Sequence, residues 1–286
     1  MYAGWRCLGL PSDRFSITKA VIPAAGHGTR LRPITNVMPK ELLPLGVKPT
    51  LQHIVEELHG VGVTDIIFVI SPQKGSIREY FGSIGFGGKV RFSYVIQEVQ
   101  RGLADAVLRA EAEVAGEHFI VALGDTVIIS ESGDLPLKRL VAAYQSNPAF
   151  AAIIVERVPI RDSYKYGMVK PRATTGAAFE IDGVIEKPNV GESPSDYAIG
   201  GRYIFDPGVF DWIRRTPVGA LGEQQITDTV RVALEAGERV WCVPVQEGEH
   251  RYDIGDFSVY CEAFIMACMT DPNLSPVVQK LLRGQK

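Results

Sequence analysis

The 286-residue sequence is poor in cysteine, in long apolar runs and in net charge, and each shortage removes a class of function. Its four cysteines, Cys7, Cys242, Cys261 and Cys268, form no CxxC pair. That favours a reduced, cytoplasmic setting, with Cys261 and Cys268 read as core-facing helix residues. No apolar stretch approaches the length needed to cross a bilayer. Thirty Lys and Arg against 33 Asp and Glu leave a net charge of −3, so nothing global attracts nucleic acid or an anionic membrane. An anionic ligand must then be held by a local basic cluster. Internal repeats and low-complexity linkers are missing too, which argues for one compact unit of a size that buries a sizeable core. The opening "MYAGWRCLGLPSDRFSI" (1–17) has no apolar h-region and is read as a short, poorly ordered extension or an upstream start, not a signal peptide.

What the sequence does contain is alternation. "KAVIPA" (19–24), "DIIFVI" (65–70), "VRFSYV" (90–95) and "HFIVAL" (118–123) are apolar on nearly every residue, as strands covered on both faces are. Between them, 50–62, 75–82 and 102–114 carry apolar residues three and four apart, the spacing of helices. The expected fold is α/β: a mostly parallel sheet with helices on both faces. After about residue 157, "YGMVKP", "AAFEIDGVIEKP" and "YAIGGRYIF" follow one another without helices, which suggests an antiparallel insertion against the edge of that sheet. A helix, the strand "RVWCVPV" and a terminal helix from about Phe257, capped by Asp256, complete the chain.

The first strand empties into "PAAGHGTRLRPITNVMPKELLP" (23–44). A dinucleotide fingerprint would need glycine where Leu31 stands, and a Walker A motif would need Gly-Lys-Ser/Thr. The stretch has neither. It has a G-x-G-T-R turn, with Lys40 ten residues after Arg30. Glycines admit an anion to backbone N–H groups, Arg30 can fork two oxygens and Lys40 adds a point charge, a set suited to a polyphosphate. A tight turn with solvated basic residues is the plainer alternative. His53 and His59 lack HExxH spacing and read as helix-surface residues.

The stretch, together with "QEVQRGLADAV", "LGDTVI", "YGMV", "VIEKP", "YAIGGRYIF", "TPVGALGEQQITD" and "RYDIGD" in that order, resembles the sugar-1-phosphate nucleotidyltransferases from Ile17 to about Leu282. The segments "SPSDYAIGGRY", "TPVGALGEQQITD" and "MACMTDPNL" are more similar to the uridylyltransferases of that family than to its thymidylyltransferases. The resemblance implies a Rossmann-like, mostly parallel mixed sheet flanked by helices, in a single nucleotidyltransferase domain over 18–286: a nucleotide-binding half (18–157), an inserted antiparallel sugar-binding half (158–256) and a C-terminal helical segment (257–286). It implies transfer of a uridylyl group from UTP to glucose 1-phosphate, giving UDP-glucose and pyrophosphate, with Mg²⁺ as cofactor and assembly as a homodimer or homotetramer. Thymidylyl transfer from dTTP is the alternative, and a non-catalytic nucleotide-sugar-binding subunit a further one.

By the same resemblance, Ala25, Gly26, Gly28 and Thr29 meet the triphosphate, with Arg30 and Lys40 on the leaving pyrophosphate. Gln97 and Gly102 lie at the nucleobase, and Asp125 and Asp253 hold the metal. Glu186 takes sugar hydroxyls and Lys187 the sugar phosphate, unless the two form only an exposed ion pair on an edge strand. Gly167 and Gly201 give the sugar room, or answer to a β-bulge. Glu223 reaches the sugar or caps the helix that follows. Two features depart from the pattern. Asp105 stands where uridylyltransferases often carry glycine-histidine and thymidylyltransferases alanine-glutamine, and the helical excursion before the "QEV" strand shrinks to "GSIGFGGK".

Overall fold

The computed structural model describes residues 16–173, 176–189, 191–219 and 222–284. Positions 1–15 of the expected extension, Cys7 among them, lie outside the described residues, whereas Ile17, assigned to that extension, is buried in the core. From β1 (Lys19–Pro23) the chain enters a loop of three short 3₁₀ turns, Thr29–Leu31, Ile34–Asn36 and Lys40–Leu42. The hairpin β2 (Pro44–Leu45) and β3 (Lys48–Pro49) leads to α1 (Thr50–His59). Leu51, Ile54, Val55 and Leu58 of α1 are buried, a stripe at the i, i+3, i+4, i+7 positions of one helix face. Each such side chain contributes about 1.5–3 kcal/mol on burial.

Next come β4 (Asp65–Ile70), α2 (Gly75–Ile84) and β5 (Arg91–Ile96), then α3 (Leu103–Arg109) and α4 (Glu111–Val114). The single helix expected over 102–114 is thus broken at Ala110, and the Lys19 ammonium takes the last carbonyls of α4, Glu113 O at 3.1 Å and Val114 O at 2.9 Å. The chain continues through β6 (Phe119–Ala122), β7 (Thr126–Ser130), α5 (Pro136–Ser146) and β8 (Ala151–Arg157). Three strands follow without an α-helix between them: β9 (Gly167–Pro171), β10 (Phe179–Glu186) and β11 (Tyr197–Phe205). Then come α6 (Val209–Arg215), α7 (Ile226–Glu235), β12 (Val240–Pro244), β13 (Glu249–Asp253), α8 (Phe257–Thr270) and α9 (Ser275–Arg283).

Nine described strands form one mixed sheet in the order β5-β4-β1-β6-β11-β8-β12-β10-β9. β5, β4, β1 and β6 are parallel, as are β8 and β12, while β11 is antiparallel to both β6 and β8. β1 shows why helices cover both faces. Ala20 and Ile22 belong to the core under α1, α2 and α5, and Val21 to the opposite core under α3, α6 and α7.

Three expectations change. β11 does not lie at a sheet edge: all nine of its residues are buried, and it sits between β6 and β8. β10 is not an edge strand either, since β12 and β9 flank it. Cys268 is buried but Cys261 is exposed. α8 packs through Ala263 and Ala267, and at about 100° per residue Cys261 lies some 120° around the helix from Ala267. Asp256 caps α8 as expected, its carboxylate accepting from Ser258 N at 3.0 Å and Val259 N at 3.1 Å.

Candidate active site

In an open α/β sheet, ligands bind beyond the carboxyl ends of the parallel strands, where the strand order reverses. That point lies between β1, followed toward one edge by β4 and β5, and β6 on its other side. A cleft of about 280 Å³ opens there. It is lined from the β1 loop by Ala25, Gly26, Lys40 and Glu41, from the β5 end by Gln97, Gln100 and Gly102, and from the β6 end by Asp125. Glu223 and Gln225 close the far side.

The charge at its centre is a chain of contacts. Lys40 Nζ donates to the Asp125 carboxylate. Burial works to lower the pKa of the Lys40 ammonium, but the negative charges of Asp125 and Glu41 outweigh it and hold it above the ordinary lysine value. Burial likewise works to raise Asp125, and Lys40 outweighs it, leaving that carboxyl below the usual range. β13 runs antiparallel to β7 with Asp253 opposite Thr126, and Ile254 N donates to Asp125 O at 2.7 Å. Asp125, just before β7, and Asp253, the last residue of β13, therefore stand side by side. Burial and then the Asp125 charge raise the Asp253 pKa.

Arg30 lies apart from the cleft floor. A Cβ built on Gly255 would come within 2.5 Å of Arg30 Nη2 and 3.3 Å of Asp253 Oδ1, so the guanidinium rests against the Gly255 backbone beside Asp253. Gly28 adopts φ +63°, a left-handed conformation that suits glycine, and its carbonyl accepts from Thr35 Oγ1 at 2.8 Å. Thr29 is exposed at the start of the first 3₁₀ turn.

Gln97 is buried, 2% exposed, and its Nε2 donates to Asp105 Oδ2 at 2.7 Å. Asp105 Oδ1 accepts from Arg109 Nη2 at 3.1 Å. The acidic residue that departs from the family pattern thus faces a glutamine and an arginine. Gly102 has φ +109°, and a Cβ there would lie 2.4 Å from Gln224 O and 2.6 Å from Gln224 N. Its backbone neighbours bind the same residue: Gln224 N donates to Arg101 O at 2.7 Å and Ala104 N to Gln224 O at 2.9 Å. The loop after β5 is stitched to the loop before α7.

Of the remaining expected residues only Glu223 lines this cleft. Glu186, at the end of β10, is paired with Gly167 of β9, where a Cβ would press within 3.1 Å of Glu186 Oε2. Lys187 follows with φ +44°, unusual for a side chain that is not glycine, and its Nζ lies 3.7 Å from Glu186 Oε1. Gly201, at φ +76°, falls within a register shift between Ile199 and Tyr203 and faces Leu123 and Thr126. A bulge accounts for it. Glu223 does not cap α7, whose N-cap is Gln225; it accepts from Gln225 Nε2 at 2.7 Å. His53 and His59 are half-buried, each against a carbonyl, Leu45 O and Val63 O.

Sequence reasoning missed Glu41 and Lys74. Lys74 Nζ donates to both Glu41 carboxylate oxygens, at 2.8 and 2.7 Å, and to Ala24 O at 2.7 Å, pinning the β1 loop to the end of β4. Burial raises the Glu41 pKa and lowers that of Lys74, each opposed by the other. A second cleft, of about 370 Å³, continues past Lys40 and is lined by His27, Arg32, Ser71 and Lys74. His27 and Arg32 of "HGTRLRP" were the signal available for it.

The nucleotidyl transferase family profile matches residues 19–268. A UTP–glucose-1-phosphate uridylyltransferase of Staphylococcus epidermidis is 35% identical, over 93% of this chain and 98% of its own length. A UDP-glucose pyrophosphorylase solved in complex with UDP-glucose superposes with a TM-score of 0.81 at 34% identity, covering 87% of this chain and 97% of that one. A UTP-bound UGPase from Acinetobacter baumannii gives 0.84 at 29% identity, over 95% and 100%. With a family match from the first strand into α8, and with a mixed α/β sheet whose loops converge on one cleft, the chain belongs to the nucleotidyl transferase family.

Proposed function

We propose that this nucleotidyltransferase joins UTP to glucose 1-phosphate, releasing pyrophosphate and forming UDP-glucose. A phosphate oxygen of the sugar attacks the α-phosphorus in line, the bond to the β-phosphate oxygen breaks, and pyrophosphate leaves. The attacking group is an anion near neutral pH, so no general base is needed. Catalysis then consists of positioning two polyanions and stabilising charge on the leaving group.

The observation that carries this reading is the convergence of Gln97, Lys40 and Asp125 on one cleft at the strand-order reversal. In the proposal Lys40 and Arg30 hold the leaving pyrophosphate, and Ala25, Gly26, Gly28 and Thr29 the triphosphate. Gly26 supports this: a Cβ there would meet nothing within 4 Å and its φ is not positive, so the protein itself makes no demand for glycine. Close approach by a ligand would. Gln97 and Gly102 face the base, Glu186 takes sugar hydroxyls and Lys187 the sugar phosphate, Gly167 and Glu223 lie along the sugar, and Gly201 shapes the wall behind Asp125. The left-handed backbone of Lys187 is strain of the kind found where a side chain is aimed for function.

Mg²⁺ is part of the proposal. Asp125 and Asp253 offer hard carboxylate oxygens side by side, the donor type and number that Mg²⁺ takes when phosphates complete its shell. Burial, and after it the Asp125 charge, raises the Asp253 pKa, and a cation would relieve that repulsion. When bound there, it would offset charge on the α-phosphate. Among the described residues no group of three or more His, Cys, Asp or Glu gathers, so substrate oxygens would have to complete the shell.

A cytoplasmic setting fits the free thiols of Cys242, Cys261 and Cys268, and no described helix is long and apolar enough to cross a membrane. Assembly into a dimer or tetramer fits the apolar side chains that α9 leaves exposed, Val277, Leu281 and Leu282. Phosphorus NMR of the protein with UTP, glucose 1-phosphate and Mg²⁺ tests the reaction: paired diphosphate resonances of UDP-glucose should grow with that of pyrophosphate, and unchanged UTP signals would refute it.

A further inference from the structure

The amide of Gln97 has two faces of opposite chemistry, and the protein controls which one meets the cleft. Its backbone is fixed by Gln97 N donating to Ile70 O at 2.9 Å, and its side chain is almost fully buried. Asp105, on the first turn of α3, is itself 7% exposed and points one oxygen at Arg109, an obligate donor. Its other oxygen can only accept. The Gln97 group turned toward it must therefore be the NH₂, and Nε2 also leans on Gly102 O at 3.4 Å. That leaves the carbonyl Oε1 as the polar group the side chain offers to the cleft.

We infer that Asp105, held by Arg109, is a positioning residue that locks the Gln97 amide with its carbonyl toward the base and so selects pyrimidines carrying an N3–H. Uracil and thymine present that donor between two carbonyl acceptors. Cytosine presents a bare N3, which would face Oε1 acceptor to acceptor. This inference rests on the reading that Gln97 meets the nucleobase. It gives the one acidic departure from the family pattern a specificity task rather than a phosphate or metal task. It also explains how a carboxylate is tolerated near a triphosphate site: Arg109 and the amide occupy both of its oxygens.

Asp105→Asn is nearly isosteric and makes a sharp test. Arg109 would hold the new side-chain carbonyl, its NH₂ would face Gln97, and the glutamine amide would turn over to offer Nε2 to the base. Binding of UTP, CTP and N3-methyl-UTP to the full-length protein, measured by calorimetry, reads this without relying on turnover. The wild type is expected to bind UTP well and CTP and N3-methyl-UTP poorly. In Asp105→Asn the UTP-over-CTP preference should fall on the order of 10- to 100-fold, the usual penalty range for a mispaired buried polar group, with a smaller fall in Asp105→Ala. A purely structural role would weaken both nucleotides together and leave their ratio alone. An unchanged ratio in either folded variant overturns the inference while leaving the proposed function standing. Wild-type binding of N3-methyl-UTP equal to that of UTP overturns the inference even if both variants misfold. No preference between UTP and CTP in the wild type overturns both the inference and the placement of Gln97 at the base.

Discussion

The Lys40 ammonium is hydrogen-bonded to the Asp125 carboxylate, so the residue proposed to hold pyrophosphate and one proposed to hold metal are each other's partner. Each keeps the other ionised against the cost of burial. A triphosphate with its cation would enter a site where the Lys40 and Asp125 charges already stand in place, which is preorganisation in the electrostatic sense.

Lys40→Ala should therefore lower kcat on the order of 10²–10³, the usual cost of one preorganised charge contact. The 3₁₀ turn that carries it makes its own backbone bonds, Leu43 N to Lys40 O among them, so the fold should persist. Steady-state kinetics beside circular dichroism checks this, and near wild-type turnover would remove Lys40 from the mechanism.

Replacing Asp253 with Asn should separate metal binding from folding. The raised pKa of Asp253 means that its charge is disfavoured in the folded protein, by burial and by Asp125. In a chelator the variant should melt no lower than the wild type. The Mg²⁺ concentration for half-maximal activity should rise on the order of tenfold or more, since even outer partners of a metal ligand carry that much affinity. An unchanged Mg²⁺ titration would take Asp253 out of the site.

Gly102→Ala puts a Cβ into the Gln224 main chain at 2.4–2.8 Å, at a φ that alanine avoids. Neither backbone can yield without breaking the bonds that join them. A loss of about 1–3 kcal/mol in urea unfolding is expected from the backbone strain, with impaired nucleotide binding. A variant as stable as the wild type would show that the two loops are not packed as described.

The strand that ends at Asp253 begins at Glu249, whose carboxylate takes Arg139 at 2.6 and 2.7 Å and Gln246 N at 2.7 Å. Burial works to raise its pKa, but these donors outweigh it and lower it. A carboxyl depressed in the folded state stabilises fully above its unfolded pKa and loses that contribution as pH falls. Glu249→Gln should cost about 1.5–3 kcal/mol near pH 7, the range for hydrogen bonds to a charged group. The gap should begin to narrow below about pH 4, where the unfolded carboxyl protonates, and close as pH falls on through the lower folded value. Denaturant curves at both pH values check it, and a gap that widens at low pH would reverse the assignment.

The strands of the first half were legible because a strand covered on both faces must be apolar throughout, and "DIIFVI" gave β4 residue for residue. The seating of β11 was not, since an all-buried strand reads alike wherever it lies inside a sheet. In "IGGRY" the chemistry proved partly architectural. Arg202 is fully buried, bonded to Glu57 Oε2 at 2.7 Å and to Thr126 O at 2.8 Å, and Gly201 belongs to the bulge beside it. Periodicity brings Gln97 and Asp125 to strand ends, where the cleft is. It is silent on contacts made across long stretches of sequence, such as Lys74 with Glu41 or Gly102 with Gln224, and those fix the loops that shape the site.

The most direct test is pyrophosphate release by the purified protein with Mg²⁺ and glucose 1-phosphate, offering UTP, dTTP, CTP, ATP and GTP one at a time. Release with UTP well ahead of the other four is the expected result; release led by dTTP would make the enzyme a thymidylyltransferase, and no release with any of the five from folded protein would contradict nucleotidyl transfer to this sugar phosphate.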